Sequence, residues 1–212
     1  MMDKNEDNYD IFVSYSHKDN EDVGKMAEEL RIFGLSVFLA HEDIKPSQEW
    51  IEIIFRSLKS AKIFIPYLTE SFNESDWCDQ ESGIAYANSL KILPVSIVDH
   101  VQPHGFIMKY QALKVKKSSR QVRYKPSYLV STIVKILLTA EETNAFMRDK
   151  IFFKVKNINN YHETDFVFSV LEQMEPFSKD EINLIISEYE KNDQISGARS
   201  ANSLVSKLKN KE

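Results

Sequence analysis

Short, almost unbroken apolar runs alternate with stretches of helical period over the first two-thirds of this chain. That alternation restricts the fold more than any other feature. Residues 10–15 (Asp-Ile-Phe-Val-Ser-Tyr), 35–39, 62–66 and 91–98 read as four strands rich in β-branched and aromatic side chains. Between the first two, Val23, Met26, Ala27 and Leu30 recur at helical spacing, and Gly34 closes that helix. Ile51, Ile54, Phe55 and Leu58 mark a second helix, and residues 75–89 a third, capped by Ser75 or Asp76. A last periodic segment covers 128–138. Strands joined through helices need right-handed crossovers and pair in parallel. The runs 63–65 and 92–98 are apolar on both faces, which suits strands covered on both sides. The expectation is one α/β domain over residues 9–139, an open parallel β-sheet flanked by helices, preceded by a polar tail at 1–8.

Residues 140–212 change character and predict a small, mainly helical appendage. A helix over 165–174 is divided by Pro176 from Ser178-Lys-Asp-Glu181, which has the form of a capping box. Ile182, Ile185, Ile186 and Tyr189 follow at helical spacing, and Gly197 precedes a final helix over 200–208.

Several function classes are disfavoured at once. A formal charge of −5 argues against a nucleic-acid partner held by phosphate neutralisation, although residues 109–125 carry seven Lys or Arg. Such a run reads as a solvated face. The polar N-terminus is not a signal peptide, and no apolar run reaches the roughly eighteen residues a membrane span needs. The single cysteine, Cys78, permits no intrachain disulfide and reads as a buried or half-buried free thiol. A cytoplasmic protein is expected, with no membrane partner. Five glycines leave no dinucleotide fingerprint and no phosphate loop. A phosphorylation receiver needs an acidic pair after its first strand, where this chain has Ser14-Tyr-Ser16. His100 and His104 stand four apart, but Pro103 breaks the helix that would turn both to one metal, so no metal or cofactor is expected.

Ligands of open α/β sheets sit beyond the carboxyl ends of the strands. That rule places residues 14–18, 40–47 and 67–77 on one rim. Trp77-Cys-Asp-Gln-Glu81 starts the helix that follows, and a spacing of four puts indole and carboxylate on one face, a turn apart. An aromatic plane beside a carboxylate suits a flat cationic ring attached to a sugar. On spacing alone, a core tryptophan beside a solvated glutamate on an amphipathic helix is the favoured reading.

The order of motifs carries a resemblance. Tyr9-Asp-Ile-Phe-Val-Ser-Tyr-Ser16 followed by Asp19 resembles the opening strand and loop of TIR (Toll/interleukin-1 receptor) domains, which are flavodoxin-like in architecture. Phe38, then Asp43-Ile-Lys-Pro-Ser47 leading to Trp50, resembles their second strand and long BB loop, with Ser47 where many members carry glycine. Ser75-Asp-Trp77 through Glu81 is similar to their W-x-x-x-E helix, and Ile92-Leu-Pro-Val95 to their fourth strand. The resemblance implies an enzyme that cleaves NAD at the nicotinamide–ribose bond, with NAD as substrate rather than cofactor. Glu81 would be the catalytic carboxylate; Trp77, Tyr15, Ser16, Asp43 and Trp50 would line the pocket. It further implies ADP-ribose or a cyclic isomer as product, acting as an immune signal on a separate effector in bacterial antiphage defence. Self-association through the BB loop, Asp43 to Ser47, would complete the pocket. The alternative is a non-catalytic scaffold acting by TIR–TIR association.

Overall fold

The computed structural model describes residues 8–40, 50–115, 125–174 and 176–210. Strand β1 (Ile11–Ser14) is buried along its whole length and lies inside a parallel sheet, with β2 (Val37–Leu39) on one side and β3 (Ile63–Leu68) on the other. Beyond β3 come β4 (Lys91–Ile92) and β5 (Val95–Ser96), and β6 (Leu113–Lys114) pairs with β5. The order is β2-β1-β3-β5-β6 with β4 beside β3. Helices α1 (Asn20–Ile32), α2 (Trp50–Ser60), α3 (Glu70–Asn73) and α4 (Asp76–Ala87) make the crossovers. This is the open parallel α/β sheet that the alternation of patterns predicts. Gly34, at φ 76, supplies the left-handed turn after α1.

Two details depart from the sequence reading. The fourth expected strand, 91–98, is split into β4 and β5. Both pieces keep one register against β3, with Phe64 opposite Ile92 and Tyr67 opposite Val95. The break falls at Leu93-Pro94, where proline has no N–H to give the ladder. The second is β6, an edge strand too short to show a period, in a stretch dominated by basic residues.

Strand parity places the site. Phe12 stands opposite Phe38 on β2 and Phe64 on β3, and the three rings form a row across the sheet, with centroids 5.1 and 5.9 Å from Phe12. This face packs against Ile54 and Leu58 of α2 and Cys78 and Ala85 of α4. Alternate residues of a strand share a face, so Ser14 projects on the same side as Phe12, toward α4. Ser14 is the point where an otherwise apolar row turns polar.

By its internal contacts the chain divides into two compact units. One comprises the described residues up to Arg31 with Leu35–Leu129; the other comprises Ile32–Gly34 with the described part of Val130–Glu212. The division falls within α5 (Pro126–Thr139), ahead of the change of character at residue 140. The second unit is helical throughout: α6 (Glu141–Val155), α7 (Tyr161–Leu171), α8 (Lys179–Lys191), α9 (Asp193–Ser196) and α10 (Arg199–Lys209). The capping box at α8 is complete, since Ser178 accepts from the Glu181 backbone and Glu181 accepts from the Ser178 backbone. Arg148 of α6 also donates to both Glu181 oxygens, at 2.8 and 2.6 Å, which ties α6 to α8.

Candidate active site

Helix α4 begins where its sequence says it should. Ser75 is extended (φ −100, ψ 109), and its hydroxyl accepts from the Cys78 backbone, while Asp76 and Asp79 place negative charge in the first turn. Ser75→Ala is expected to cost about 1 kcal/mol of stability, read as a lower urea midpoint with an unchanged slope. Ser75→Asp should restore it.

The buried stripe of α4 is Cys78, Glu81, Ser82 and Ala85, spaced i, i+3, i+4, i+7. Three of these are ordinary small core residues. The fourth is a carboxyl group only 4% exposed. Glu81 therefore occupies a position that amphipathic patterning reserves for an uncharged side chain. Its partner is Ser14, 67 residues earlier, whose hydroxyl donates to Glu81 Oε2 at 2.5 Å. Burial pushes the Glu81 carboxyl up to about 7, although the Ser14 hydrogen bond pulls the other way by favouring the ionised form. One hydroxyl does not replace the water an ionised carboxylate loses, so desolvation wins. Near neutral pH the group exchanges its proton readily. Cys78, one turn earlier, is pushed up to about 11, chiefly by burial, and stays a neutral thiol.

The structure reverses the spacing-only picture of a core tryptophan and a solvated glutamate. Trp77 is 38% exposed while Glu81 is buried, and both lie on α4. Trp77 pairs instead with Trp50 at the start of α2, with ring centroids 4.2 Å apart and planes tilted by 59°. Two residues singled out separately in the sequence thus form one exposed aromatic surface, one turn along α4 from the carboxylate. The exposure of Trp50 is 37%.

The remaining expected site residues are distributed differently. Tyr15 is buried and its hydroxyl donates to Asn20 at 2.9 Å, anchoring the turn that leads into α1. Ser16 is buried at the start of the 3-10 turn His17–Asp19, where its carbonyl accepts from the Asp19 backbone. Asp43 and the rest of the BB loop through Ser47 lie outside the described residues. Ser14 was not among the expected site residues. The rim gains a second polar anchor, since Thr69 after β3 donates to Asp19 Oδ2 at 2.8 Å and caps α3 by accepting from Phe72. Burial raises the Asp19 carboxyl above its usual range.

Among the described residues no three His, Cys, Asp or Glu side chains converge as a metal site would require. His100 and His104 pair with different carboxylates, Glu70 at 3.0 Å and Asp79 at 2.7 Å. No helix among the described residues is long and apolar enough to cross a membrane.

Comparison with known proteins points to one family. A family model described as "TIR domain" matches residues 11–124. A protein of Methanobrevibacter olleyae named probable 2′ cyclic ADP-D-ribose synthase TcpO is 31% identical over 121 residues, covering 53% of this chain and 36% of the relative. The matched region thus spans about a third of that curated relative. Among solved structures, the TIR domain of the Toll-related receptor TRR-2 from Hydra magnipapillata is 20% identical, covering 50% of this chain and 84% of that one with a TM-score of 0.45. The TIR domains of the activated Roq1 resistosome are 16% identical, covering 79% and 100%, with a TM-score of 0.41.

Proposed function

The chain belongs to the TIR domain family, and from that premise we propose that it is an NAD-cleaving enzyme in which Glu81 is the reacting carboxylate. The observation that carries this reading is the burial of Glu81 in the core stripe of α4 against Ser14. A buried ionisable group costs stability and is kept where function requires it, and perturbed carboxyls concentrate where chemistry is done.

The proposed step is heterolysis of the bond between ribose C1′ and the pyridinium nitrogen. The bonding pair passes to nitrogen, neutral nicotinamide leaves, and positive charge develops on the ribosyl C1′. Because the leaving group is already cationic it needs no general acid, and a single carboxylate suffices. Ionised Glu81 would stabilise that charge and accept hydrogen bonds from the ribose hydroxyls. Trp77, with Trp50, would offer a plane on which a flat ring stacks. Capture of C1′ by water gives ADP-ribose and a proton; capture by a hydroxyl or ring nitrogen of the same molecule gives a cyclic isomer. The name of the archaeal relative favours the cyclic outcome. The product would then be an immune signal read by a separate effector in antiphage defence, inside the cytoplasm. Self-association through the loop from Asp43 to Ser47 is part of the same proposal.

The test is to incubate the full chain with NAD over a range of pH and protein concentration and to follow nicotinamide. Below about 7 the Glu81 carboxyl holds its proton, so kcat/KM is expected to fall about tenfold per pH unit on the acid side. In the complex the cationic pyridinium favours the ionised carboxylate, so the acid limb of kcat should lie at lower pH than that of kcat/KM. Coincident limbs, or a flat profile between pH 5 and 8, would count against Glu81 as the titrating group. A scaffold acting only by TIR–TIR association is the second reading. The exposed Trp50–Trp77 pair favours it as a contact surface, and no turnover at any concentration, even with an activating partner, would favour it over the enzyme.

A further inference from the structure

The NAD-cleaving reading assigns no role to Ser14, yet its hydroxyl donates the hydrogen bond that holds the Glu81 carboxyl. Ser14 is fully buried at the carboxyl end of β1, its Cα register-paired with Pro66 of β3, so both its backbone and its side chain are tightly placed. Glu81 has two oxygens. Ser14 holds Oε2 at 2.5 Å, a distance typical of a hydroxyl on a charged acceptor. A glutamate side chain otherwise rotates about three bonds, and its terminal torsion is broad. A single strong hydrogen bond from a strand removes much of that freedom.

We infer that Ser14 is a positioning residue for the cleavage step: its hydroxyl latches one Glu81 oxygen to the sheet and leaves the other for the ribose. The inference rests on the NAD-cleaving reading. No bond to Ser14 forms or breaks, and its proton stays on Oγ throughout. It acts through Glu81, and it does so in two ways. It fixes the carboxylate geometry, and by donating it favours the ionised form that a developing cation requires.

The surroundings leave few competitors for this role. The Cys78 thiol on the same helix interacts with the Glu81 carboxyl, and it is neutral at physiological pH. The elements that pack against α4 include β1, β3, α2, α3 and the short turn Gly105–Ile107. Their charged and titratable residues are Tyr67 on β3, Glu52, Arg56 and Lys59 on α2, Glu70 on α3 and His104 before the turn, and the shift of the Glu81 carboxyl traces to none of them. Desolvation and the Ser14 hydroxyl set its protonation between them.

The experiment compares wild type, Ser14→Ala and Ser14→Thr by two independent readouts. The first is the Glu81 carboxyl itself, titrated by infrared difference against Glu81→Gln, which needs no turnover. The second is the pH profile of nicotinamide release from NAD. Ser14→Ala should move the Glu81 midpoint upward and carry the acid limb of kcat/KM with it. At pH 7 kcat should drop about 10- to 100-fold with little change in KM. Ser14→Thr, which keeps the hydroxyl, should return both toward wild type; if its extra methyl prevents folding, Ser14→Cys serves as the weak-donor intermediate. An unmoved Glu81 midpoint in folded Ser14→Ala overturns the inference, as does a rate loss that is the same at every pH. Absence of turnover in wild type would instead defeat the NAD-cleaving reading, and with it the positioning role; the infrared titration would then report only on the hydrogen bond.

Discussion

Replacing Glu81 with alanine is expected to lower nicotinamide release from NAD by about 10²- to 10³-fold while leaving the protein folded. The size follows from the task assigned to the residue. With no general acid required, stabilisation of the ribosyl cation falls on one carboxylate, and removing one preorganised electrostatic partner of a developing charge costs about 10²- to 10³-fold. Among the described residues the nearby carboxylates are engaged elsewhere: Asp79 pairs with His104, and Asp19 is tied to Thr69. Glu81→Gln should be almost as slow as Glu81→Ala, because it keeps the shape and the Ser14 hydrogen bond but not the charge. A large difference between the two would mean that shape rather than charge matters at this position. The loss should appear in kcat and kcat/KM together, since the interaction is made mainly in the transition state.

The same Glu81→Gln protein is expected to be more stable than wild type at pH 8, by about 3 kcal/mol at most. The sign follows from linkage. Burial raises the Glu81 carboxyl from 4.5 to about 7 in the folded protein, so the folded state binds this proton more tightly than the unfolded chain. Its contribution is fully present below about 4.5 and is lost as the pH rises through about 7. The gap corresponds to about 3 kcal/mol at roughly 1.4 kcal/mol per pH unit. Glutamine carries no charge at any pH and escapes that loss. For a chain of this size the advantage is a rise of several degrees in melting temperature at pH 8, shrinking to under about 1 kcal/mol at pH 5. A variant that melts with wild type at both pH values would show that Glu81 ionises freely in the folded protein. Activity lost and stability gained in one substitution is the signature of a group retained for function.

Much of this architecture was legible because parallel strands covered on both faces must be apolar throughout. The runs at Ile11–Ser14 and Ile63–Leu68 needed no alternation to be recognised. The split at Pro94 followed from a donor the residue lacks, but it became a break only against the register of β3. The edge strand Leu113–Lys114 was invisible because two residues have no period. At the site, a spacing of four was enough to place Trp77 and Glu81 on one helix. It was not enough to say which of them the core would take. Hydropathy puts a tryptophan inside and a glutamate outside; here the sheet decides otherwise, because strand parity brings Ser14 beneath α4 and gives the carboxyl a partner. A polar residue closing an apolar strand on the Phe12 face was the available signal for Ser14. The pairing of Trp50 with Trp77 depends on how α2 and α4 pack, a relation local pattern does not contain.

The role of Glu81 in NAD cleavage is tested most directly by a mass-spectrometric balance of NAD incubated with the full chain at pH 8, beside Glu81→Gln at equal folded concentration and over rising protein concentration. The expected result is nicotinamide released in one-to-one ratio with ADP-ribose or a cyclic isomer by wild type, and almost none by the variant. Equal release by the two proteins, or intact NAD with wild type at every concentration, would contradict it.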